Sequence, residues 1–329
     1  MQGFTYARAA VVSEALAAGR EPGTAFLAGG TELLNWMRLE IAAPARILDI
    51  THLSGLDAIE TLPDGGLRIG ALARLNDVAL APAVVARVPV LSQAILSAAS
   101  AQIRNLATIG GNLLQKTRCP YFRAEEMLPC NKKQPGSGCA ARDGLNDRHA
   151  IFGWSDICVA THPSDPAVAL AALDAAVITA CGAGGRRIPI NEFYLPPDAG
   201  QDRNSVLEQG ELITAIEIPG SAPCSIYIKI RERESYEYAT VSVALALDLD
   251  VWRRIARARV ALGSVAARPW RLTAAEQALA GLEPGAAAIT AAVESGFAEA
   301  RPLAHNAYKI ALGRNLVLRA IRLVAEMTP

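Results

Sequence analysis

The chain has 329 residues, enough for two domains at the usual size of about 150 residues each. Hydrophobic residues make up 51% of it and charged residues 19%, and 32 basic side chains balance 32 acidic ones. This neutral balance argues against nucleic acid or an anionic membrane surface as the main partner, and the apolar runs are too short to span a membrane. The composition therefore predicts a globular protein with a large core.

The N-terminal part, over about 1–57, has the pattern of a small α/β lobe. A strand at 25–27 runs into Leu27-Ala28-Gly29-Gly30-Thr31, and a helix is predicted over 32–40 with Thr31 as its N-cap. A diglycine turn exposes backbone N–H groups that a phosphate can approach, and a helix N-terminus favours an anion. The alternative is a plain strand-to-helix turn, for which glycine is equally common.

A second lobe is predicted over 58–220. A strand at 67–70 and a helix at 91–96 lead to a second diglycine segment, Ala107-Thr108-Ile109-Gly110-Gly111-Asn112. Two such segments can grip both halves of one pyrophosphate, which one segment cannot. A helix at 166–173 and strands at 176–179 and 211–218 complete this lobe.

The remaining residues, 221–329, alternate predicted strands with predicted helices and form a separate α+β unit. The strands are predicted at 225–231, 240–249 and 255–262, and the helices at 273–279, 286–299 and 304–326.

An irregular stretch over about 115–160 is far longer than an ordinary connection and contains or borders four of the six cysteines: Cys119, Cys130, Cys139 and Cys158. Their spacing matches neither a zinc ribbon nor a ferredoxin, so free thiols, two disulfides and a four-thiolate metal site all stay open. The basic residues among them would stabilise a negatively charged iron–sulfur cluster. Cys181 and Cys224 have the pattern of small buried hydrophobes.

Together with His162-Pro163-Ser164-Asp165 and Tyr227-Ile228-Lys229-Ile230-Arg231, these motifs resemble the FAD-binding medium subunit of molybdenum hydroxylases, the xanthine dehydrogenase family. The resemblance runs nearly end to end. It implies an α+β fold: a two-lobed FAD-binding domain of the PCMH (vanillyl-alcohol-oxidase-like) type over 1–220, then a CO dehydrogenase flavoprotein-like domain over 221–329. The cysteine segments resemble a subgroup, the periplasmic aldehyde oxidoreductases, and imply a [4Fe–4S] cluster on Cys119, Cys130, Cys139 and Cys158.

The resemblance also implies where FAD binds. One pyrophosphate-binding segment is implied for Phe26, Leu27, Ala28, Gly29, Gly30, Thr31, Glu32, Leu33 and Leu34, and the other for Thr108, Gly111 and Asn112. Asp165 matches a residue near the ribityl or adenosine portion, although alone it has the pattern of a helix N-cap before Pro166. Lys229 matches a residue close to the isoalloxazine, with an exposed strand lysine as the alternative. Tyr236 falls beside the flavin ring, and Tyr238 is an equal candidate by counting.

The implied function is that of an electron-transfer subunit in a heterotrimer with a small [2Fe–2S] subunit and a large molybdopterin-binding subunit. Electrons would pass from the partners' centres through FAD to an external acceptor. The chain itself is expected to supply no catalytic acid, base or nucleophile, and its four histidines are expected to be structural or on the surface. The alternatives are a self-contained flavin oxidase or dehydrogenase of the same fold and a non-redox scaffold stabilised by zinc or disulfides.

The N-terminus lacks the basic head and apolar core of an export signal. The cytoplasm is therefore the default expectation. The periplasm is the alternative, reached by export of the folded chain together with a partner that carries the signal.

Overall fold

The computed structural model describes residues 1–182, 184–199 and 203–327, and within them the strands form three sheets. The strands are β1 (Thr5–Arg8), β2 (Thr24–Leu27), β3 (Arg46–Asp49), β4 (Ile59–Thr61), β5 (Leu67–Gly70), β6 (Ala176–Ala180), β7 (Arg187–Pro189), β8 (Leu212–Ile218), β9 (Ser225–Ile230), β10 (Val241–Leu249), β11 (Ile255–Gly263) and β12 (Trp270–Arg271). The helices are α1 (Val12–Gly19), α2 (Leu33–Arg38), α3 (Leu75–Leu80), α4 (Pro82–Arg87), α5 (Pro89–Leu96), α6 (Ala101–Arg104), α7 (Ile109–Leu113), α8 (Pro120–Arg123), α9 (Ala140–Asp143), α10 (Asp165–Ala172), α11 (Ile190–Phe193), α12 (Thr273–Leu279), α13 (Ala288–Ser295) and α14 (Tyr308–Ala325).

The first sheet is small and parallel, in the order β1-β3-β2. Parallel strands need crossover connections, and α1 and α2 lie in the two crossovers. The carboxyl end of β2 opens into the first diglycine segment, so this sheet positions that turn.

The second sheet is antiparallel, in the order β4-β5-β8-β6-β7. Helix α10, which is rich in alanine, is buried along its whole length. Its N-cap is Ser164, whose hydroxyl accepts a hydrogen bond from the Ala167 N–H at 3.1 Å. Asp165 is the first residue of the helix, so the interpretation of Asp165 as the N-cap is wrong and its carboxylate is available for other partners.

The third sheet is antiparallel, in the order β12-β11-β10-β9, and both of its faces are covered. Successive side chains on a strand point to opposite faces. On β10 the large residues Val243 and Leu245 join the core formed with α12, α13 and α14, whereas Ala244 and Ala246 join the core that contains α5 and α10. The largest hydrophobic core therefore crosses the predicted domain boundary at 220.

The cysteine-rich stretch is mostly irregular, as predicted, and contains only the four-residue helices α8 and α9 among its described residues. None of the helices in the described ranges is long and apolar enough to cross a membrane.

Lys309, in the first turn of α14, is fully buried. Its Nζ donates to the carbonyl oxygens of His149 and Ser264 at 3.0 and 2.9 Å, and no carboxylate of the described residues forms an ion pair with it. Burial lowers the pKa of Lys309 to about 7 because the ammonium loses its hydration. This lysine ties the C-terminal helix to the end of the cysteine-rich stretch.

Because the unfolded chain keeps this ammonium protonated up to its usual pKa near 10.5, the unfolded state binds more protons above pH 7. Stability should therefore rise with pH, and the contribution of Lys309 between pH 7 and pH 9 is about 2 kcal/mol. Urea unfolding at both pH values measures it. We expect the Lys309→Met variant to lack this rise, and equal pH slopes in the two proteins would contradict a depressed lysine pKa.

Candidate flavin cavity and four-cysteine site

One cavity of about 780 Å³ lies where the two diglycine segments meet. This volume is within the range of small-molecule and cofactor sites, about 300–1,000 Å³. Most of the predicted FAD residues line it: Phe26, Ala28, Gly29, Gly30, Thr31, Glu32, Leu33, Thr108, Gly111, Asn112, Asp165, Lys229 and Tyr236. The predicted residues Leu27 and Leu34 do not line the cavity.

The two segments touch at Gly29. A Cβ added to Gly29 would lie 2.0 Å from the carbonyl oxygen of Leu106, just before the second segment, and 3.0 Å from the Cα of Ala107, its first residue. Real Cβ atoms do not approach backbone so closely. Glycine at this position therefore lets the two segments share one cavity.

The first segment offers free hydrogen-bond donors. Among the described residues, the N–H groups of Gly29, Gly30 and Thr31 donate to no protein acceptor. Helix α2 begins at Leu33 and its N-cap is Glu32, without a side-chain cap. The prediction that Thr31 caps this helix is therefore wrong, because the left-handed Gly30 (φ +73°) extends the turn before the helix begins.

The second segment differs from the prediction, because its backbone donors are already used. The N–H groups of Ile109 and Gly110 donate to the carbonyls of Ala73 and Ala71, both at 2.9 Å. Thr108 is the N-cap of α7, and its hydroxyl accepts from the Gly111 N–H at 3.2 Å. Gly110 and Gly111 thus lie in the first turn of a helix and do not form a strand-to-helix bend.

Side chains of the second segment remain available to a ligand. The Thr108 hydroxyl keeps its own hydrogen to donate. The Asn112 Oδ1 accepts from the Ser164 hydroxyl at 2.6 Å, and among the described residues the Asn112 amide hydrogens donate to no protein acceptor. This segment can therefore contribute side-chain donors to the cavity.

A buried ion pair closes another wall of the cavity. Lys229 Nζ donates to Asp165 Oδ2 at 2.8 Å, and the two side chains are 3% and 6% exposed. The Tyr227 hydroxyl donates to the other carboxylate oxygen, and Lys229 also donates to the Ser97 carbonyl at 3.1 Å. Burial raises the pKa of Asp165, while the Lys229 ammonium opposes that rise. The alternative of an exposed strand lysine is wrong, because the β9 face that carries Lys229 is covered by the second lobe.

Tyr236 and Tyr238 both line the cavity. Tyr236 is 55% exposed and has a left-handed backbone (φ +53°), whereas the Tyr238 ring lies 4.8 Å from the Arg118 guanidinium. Both tyrosines therefore form part of the cavity wall.

Several lining residues were not predicted. Arg118 lines the cavity, although its position beside Cys119 indicated only a counter-charge for the sulfurs. Gln115 and Glu211 are further polar lining residues, and Ala98 with Ala99 supplies a wall of small side chains. No sequence signal marks these residues, since tertiary packing alone brings them to the cavity.

The four cysteines of the irregular stretch line one small second cavity. Cys130 and Cys139 face each other across an antiparallel bridge. Asn131 holds this loop together: its Nδ2 donates to the Ile157 carbonyl at 2.9 Å, and its Oδ1 accepts from two glycine N–H groups. All six cysteines lie within the described residues, and none of them forms a disulfide there.

The metal prediction is not confirmed by this geometry. No group of three or more His, Cys, Asp or Glu side chains in the described ranges is arranged to hold a metal ion. Burial raises the pKa of Cys119 to about 12 and also raises that of Cys158. The Ala160 N–H donates to the Cys158 Sγ at 3.4 Å, and the His149 Nε2 lies 3.2 Å from the Cys119 Sγ.

None of the four histidines lines the large cavity. His149 and His162 are buried, and burial lowers the pKa of each to about 4. The titratable groups of the cavity wall are carboxylates, tyrosines, arginines and Lys229.

A family model described as the FAD binding domain in molybdopterin dehydrogenase matches residues 2–221. A second, the CO dehydrogenase flavoprotein C-terminal domain, matches residues 226–324. The chain belongs to the molybdenum hydroxylase family, as one of its FAD-binding medium subunits. The prediction of an α+β fold with these two kinds of domain is confirmed, and the chain is an oxidoreductase subunit.

The aldehyde oxidoreductase FAD-binding subunit PaoB of Escherichia coli (strain K12) is 47% identical over 317 residues, which cover 95% of this chain and 96% of that protein. A solved structure of carbon monoxide dehydrogenase from Hydrogenophaga pseudoflava has a TM-score of 0.75 at 26% identity and covers 98% of this chain and 96% of its own. Reconstituted CO dehydrogenase from Oligotropha carboxidovorans, at 22% identity and a TM-score of 0.78, shares the fold over 99% of both chains.

Proposed function

We propose that this chain is the FAD-binding electron-transfer subunit of a heterotrimeric aldehyde-oxidising molybdenum hydroxylase, with a small [2Fe–2S] subunit and a large molybdopterin-binding subunit as partners. The observation that carries the proposal is the single cavity onto which both diglycine segments, Asp165 and Lys229 open. The identity to the aldehyde oxidoreductase subunit supports the aldehyde class. Bound in this cavity, FAD would accept electrons from the partners' centres and pass them to an external acceptor.

The residues of the chain hold and orient the coenzyme. The free N–H groups of Gly29, Gly30 and Thr31 would donate to the diphosphate, since unshielded amides suit phosphate oxygens. Thr108 and Asn112 would add side-chain donors. In this proposal the isoalloxazine lies at the end of the cavity that carries Lys229, Tyr236 and Tyr238, and Asp165, which pairs with Lys229, lies toward the adjoining ribityl portion. The boundaries 1–220 and 221–329 belong to the same proposal, and the two family matches support them.

We further propose a [4Fe–4S] cluster on Cys119, Cys130, Cys139 and Cys158. Four thiols around one cavity are the ligand set of such a cluster, which would supply a one-electron centre or a structural crosslink. In such a cluster each cysteine sulfur binds a different iron atom, so the four sulfurs lie farther apart than the ligands of a single metal ion. The cluster therefore needs four thiols around a shared cavity and not four thiols in mutual contact. The Ala160 N–H, which donates to the Cys158 sulfur, also suits such a cluster.

The absorption spectrum, iron content and labile sulfide of the isolated chain test this proposal. We expect flavin bands with about four iron atoms and about four sulfides per chain. With FAD in excess, the Cys130→Ser variant should lose iron and keep flavin, and Cys181→Ser, outside the cavity, should keep both. Flavin without iron would overturn the cluster, and the lack of both would favour a scaffold.

The role in electron transfer needs a second measurement. An aldehyde should bleach the flavin only when the partner subunits are present, because in this proposal the aldehyde is oxidised at the centre of the large partner and the flavin receives only electrons. Bleaching of the isolated chain by aldehyde would instead identify a self-contained flavin dehydrogenase.

A further inference from the structure

One short segment, residues 115–123, forms a wall shared by the two cavities. Gln115 and Arg118 line the large cavity, whereas Thr117 and Cys119 line the four-cysteine cavity. The segment has regular structure only in the four residues of α8. Its position therefore depends on side-chain contacts on both sides.

On the side of the flavin cavity, two arginines of the shared wall contact the carboxylate of Glu32. Arg118 forms an ion pair with Glu32, and Arg123 Nη2 lies 3.3 Å from the Glu32 Oε2. The Trp36 indole also donates to Glu32. The Glu32 side chain is 17% exposed and that of Arg123 is 14% exposed, so solvent screens these contacts weakly. Glu32 directly follows the diglycine turn whose free N–H groups face the cavity.

On the cysteine side, the shared wall is fastened by the backbone around Cys119. Arg123 Nε donates to the Thr117 carbonyl at 2.8 Å, and the Cys119 N–H donates to the Thr117 hydroxyl at 3.2 Å. The position of Cys119 therefore sets the position of both arginines. Anything that fixes the Cys119 sulfur also fixes the two cations that hold Glu32.

We propose that Arg118 and Arg123 are positioning residues that couple the four-cysteine site to FAD binding through Glu32. This inference rests on the proposed function. A filled cysteine site holds residues 115–123 in place, and the arginines then hold Glu32 and the first diglycine turn in the conformation that receives the diphosphate. Coupling between two binding sites is reciprocal, so bound FAD must strengthen the retention of the cluster to the same degree.

The test measures FAD dissociation constants by flavin fluorescence for the full chain with its cluster and after anaerobic removal of iron. We expect FAD to bind the loaded wild-type chain about 10-fold or more tightly than the iron-free chain, within the usual range of couplings of about 5- to 150-fold. In Arg123→Gln the ratio should fall below about 3-fold. Arg123 does not line the flavin cavity, so the change reaches FAD only indirectly, through its contacts with Glu32 and with the backbone of residues 116 and 117.

The matched control is Arg142→Gln in the same loop, whose ion pairs with Asp143 and Asp156 lie at the surface. Arg142→Gln should keep the wild-type ratio of FAD affinities with and without the cluster. If any substitution that loosens the loop lowered this ratio, Arg142→Gln would lower it as well. As the reciprocal measurement, FAD should slow the release of iron to a chelator in wild type and not in Arg123→Gln.

The outcomes separate the two proposals. A wild-type chain that binds FAD and no iron overturns the cluster and, with it, the coupling. A chain that carries the cluster and binds FAD equally well with and without it overturns the coupling alone. Equal ratios of FAD affinity with and without the cluster in wild type and Arg123→Gln would show that Arg123 does not transmit the coupling.

Discussion

Replacing Gly29 by alanine should weaken FAD binding by about 100-fold, or about 3 kcal/mol. The new methyl carbon would lie 2.0 Å from the Leu106 carbonyl oxygen, which belongs to backbone and cannot rotate away. The first diglycine turn must therefore move off the second segment, and the cavity between them loses its shape. Titration of the FAD-free chain with FAD, followed by flavin fluorescence, measures the loss.

Gly285→Ala is the matched control. Gly285 is exposed, nothing lies within 4 Å of its added Cβ, and its backbone is not left-handed. This variant should bind FAD as wild type does. If Gly29→Ala also bound FAD normally, the close approach of the two segments would be irrelevant to the coenzyme site.

Removing the Lys229 ammonium should destabilise the chain by about 3–5 kcal/mol, because a buried carboxylate then loses its counter-charge. In Lys229→Met, Asp165 keeps the hydrogen bond from Tyr227 and has no remaining ion-pair partner among the described residues. Urea unfolding of the FAD-free chain at neutral pH measures the loss without a contribution from coenzyme binding.

The double variant Lys229→Met, Asp165→Asn separates charge from packing. With the carboxylate gone, no buried charge is left unpaired, and most of the lost stability should return. A double variant as unstable as the sum of the two single changes would show that the two side chains act independently. Such additivity would exclude the ion pair as the main contribution.

Much of the fold is readable from periodicity. The strand Leu67–Gly70 and the helix Thr273–Leu279 have the bounds that the pattern predicts, because each has a clear apolar period and ends at a glycine or an alanine-rich turn. The helices α3 and α4 were not predicted. They are short and separated by a single residue, so neither contains enough turns for a helical period to appear.

The sequence predicts which segments form the candidate site, but it does not predict which of their N–H groups are free to bind a ligand. The two diglycine segments look alike in sequence, yet only the first has free N–H groups. The second loses its donors to the carbonyls of Ala71 and Ala73, which local sequence cannot indicate. The contact between Arg123 and Glu32 joins residues 91 positions apart, and no spacing rule predicts it.

The small side chains on one face of β10 have a consequence for how the chain holds together. Ala244 and Ala246 let the helices of the second lobe lie close to the C-terminal sheet, and the Asp165–Lys229 pair joins the same two parts beside the cavity. Cleavage of the chain between the two family-matched segments would expose this apolar surface to water. It would also leave Asp165 on one fragment and Lys229 on the other, each without its counter-charge. We therefore expect the two segments to unfold together as one cooperative unit.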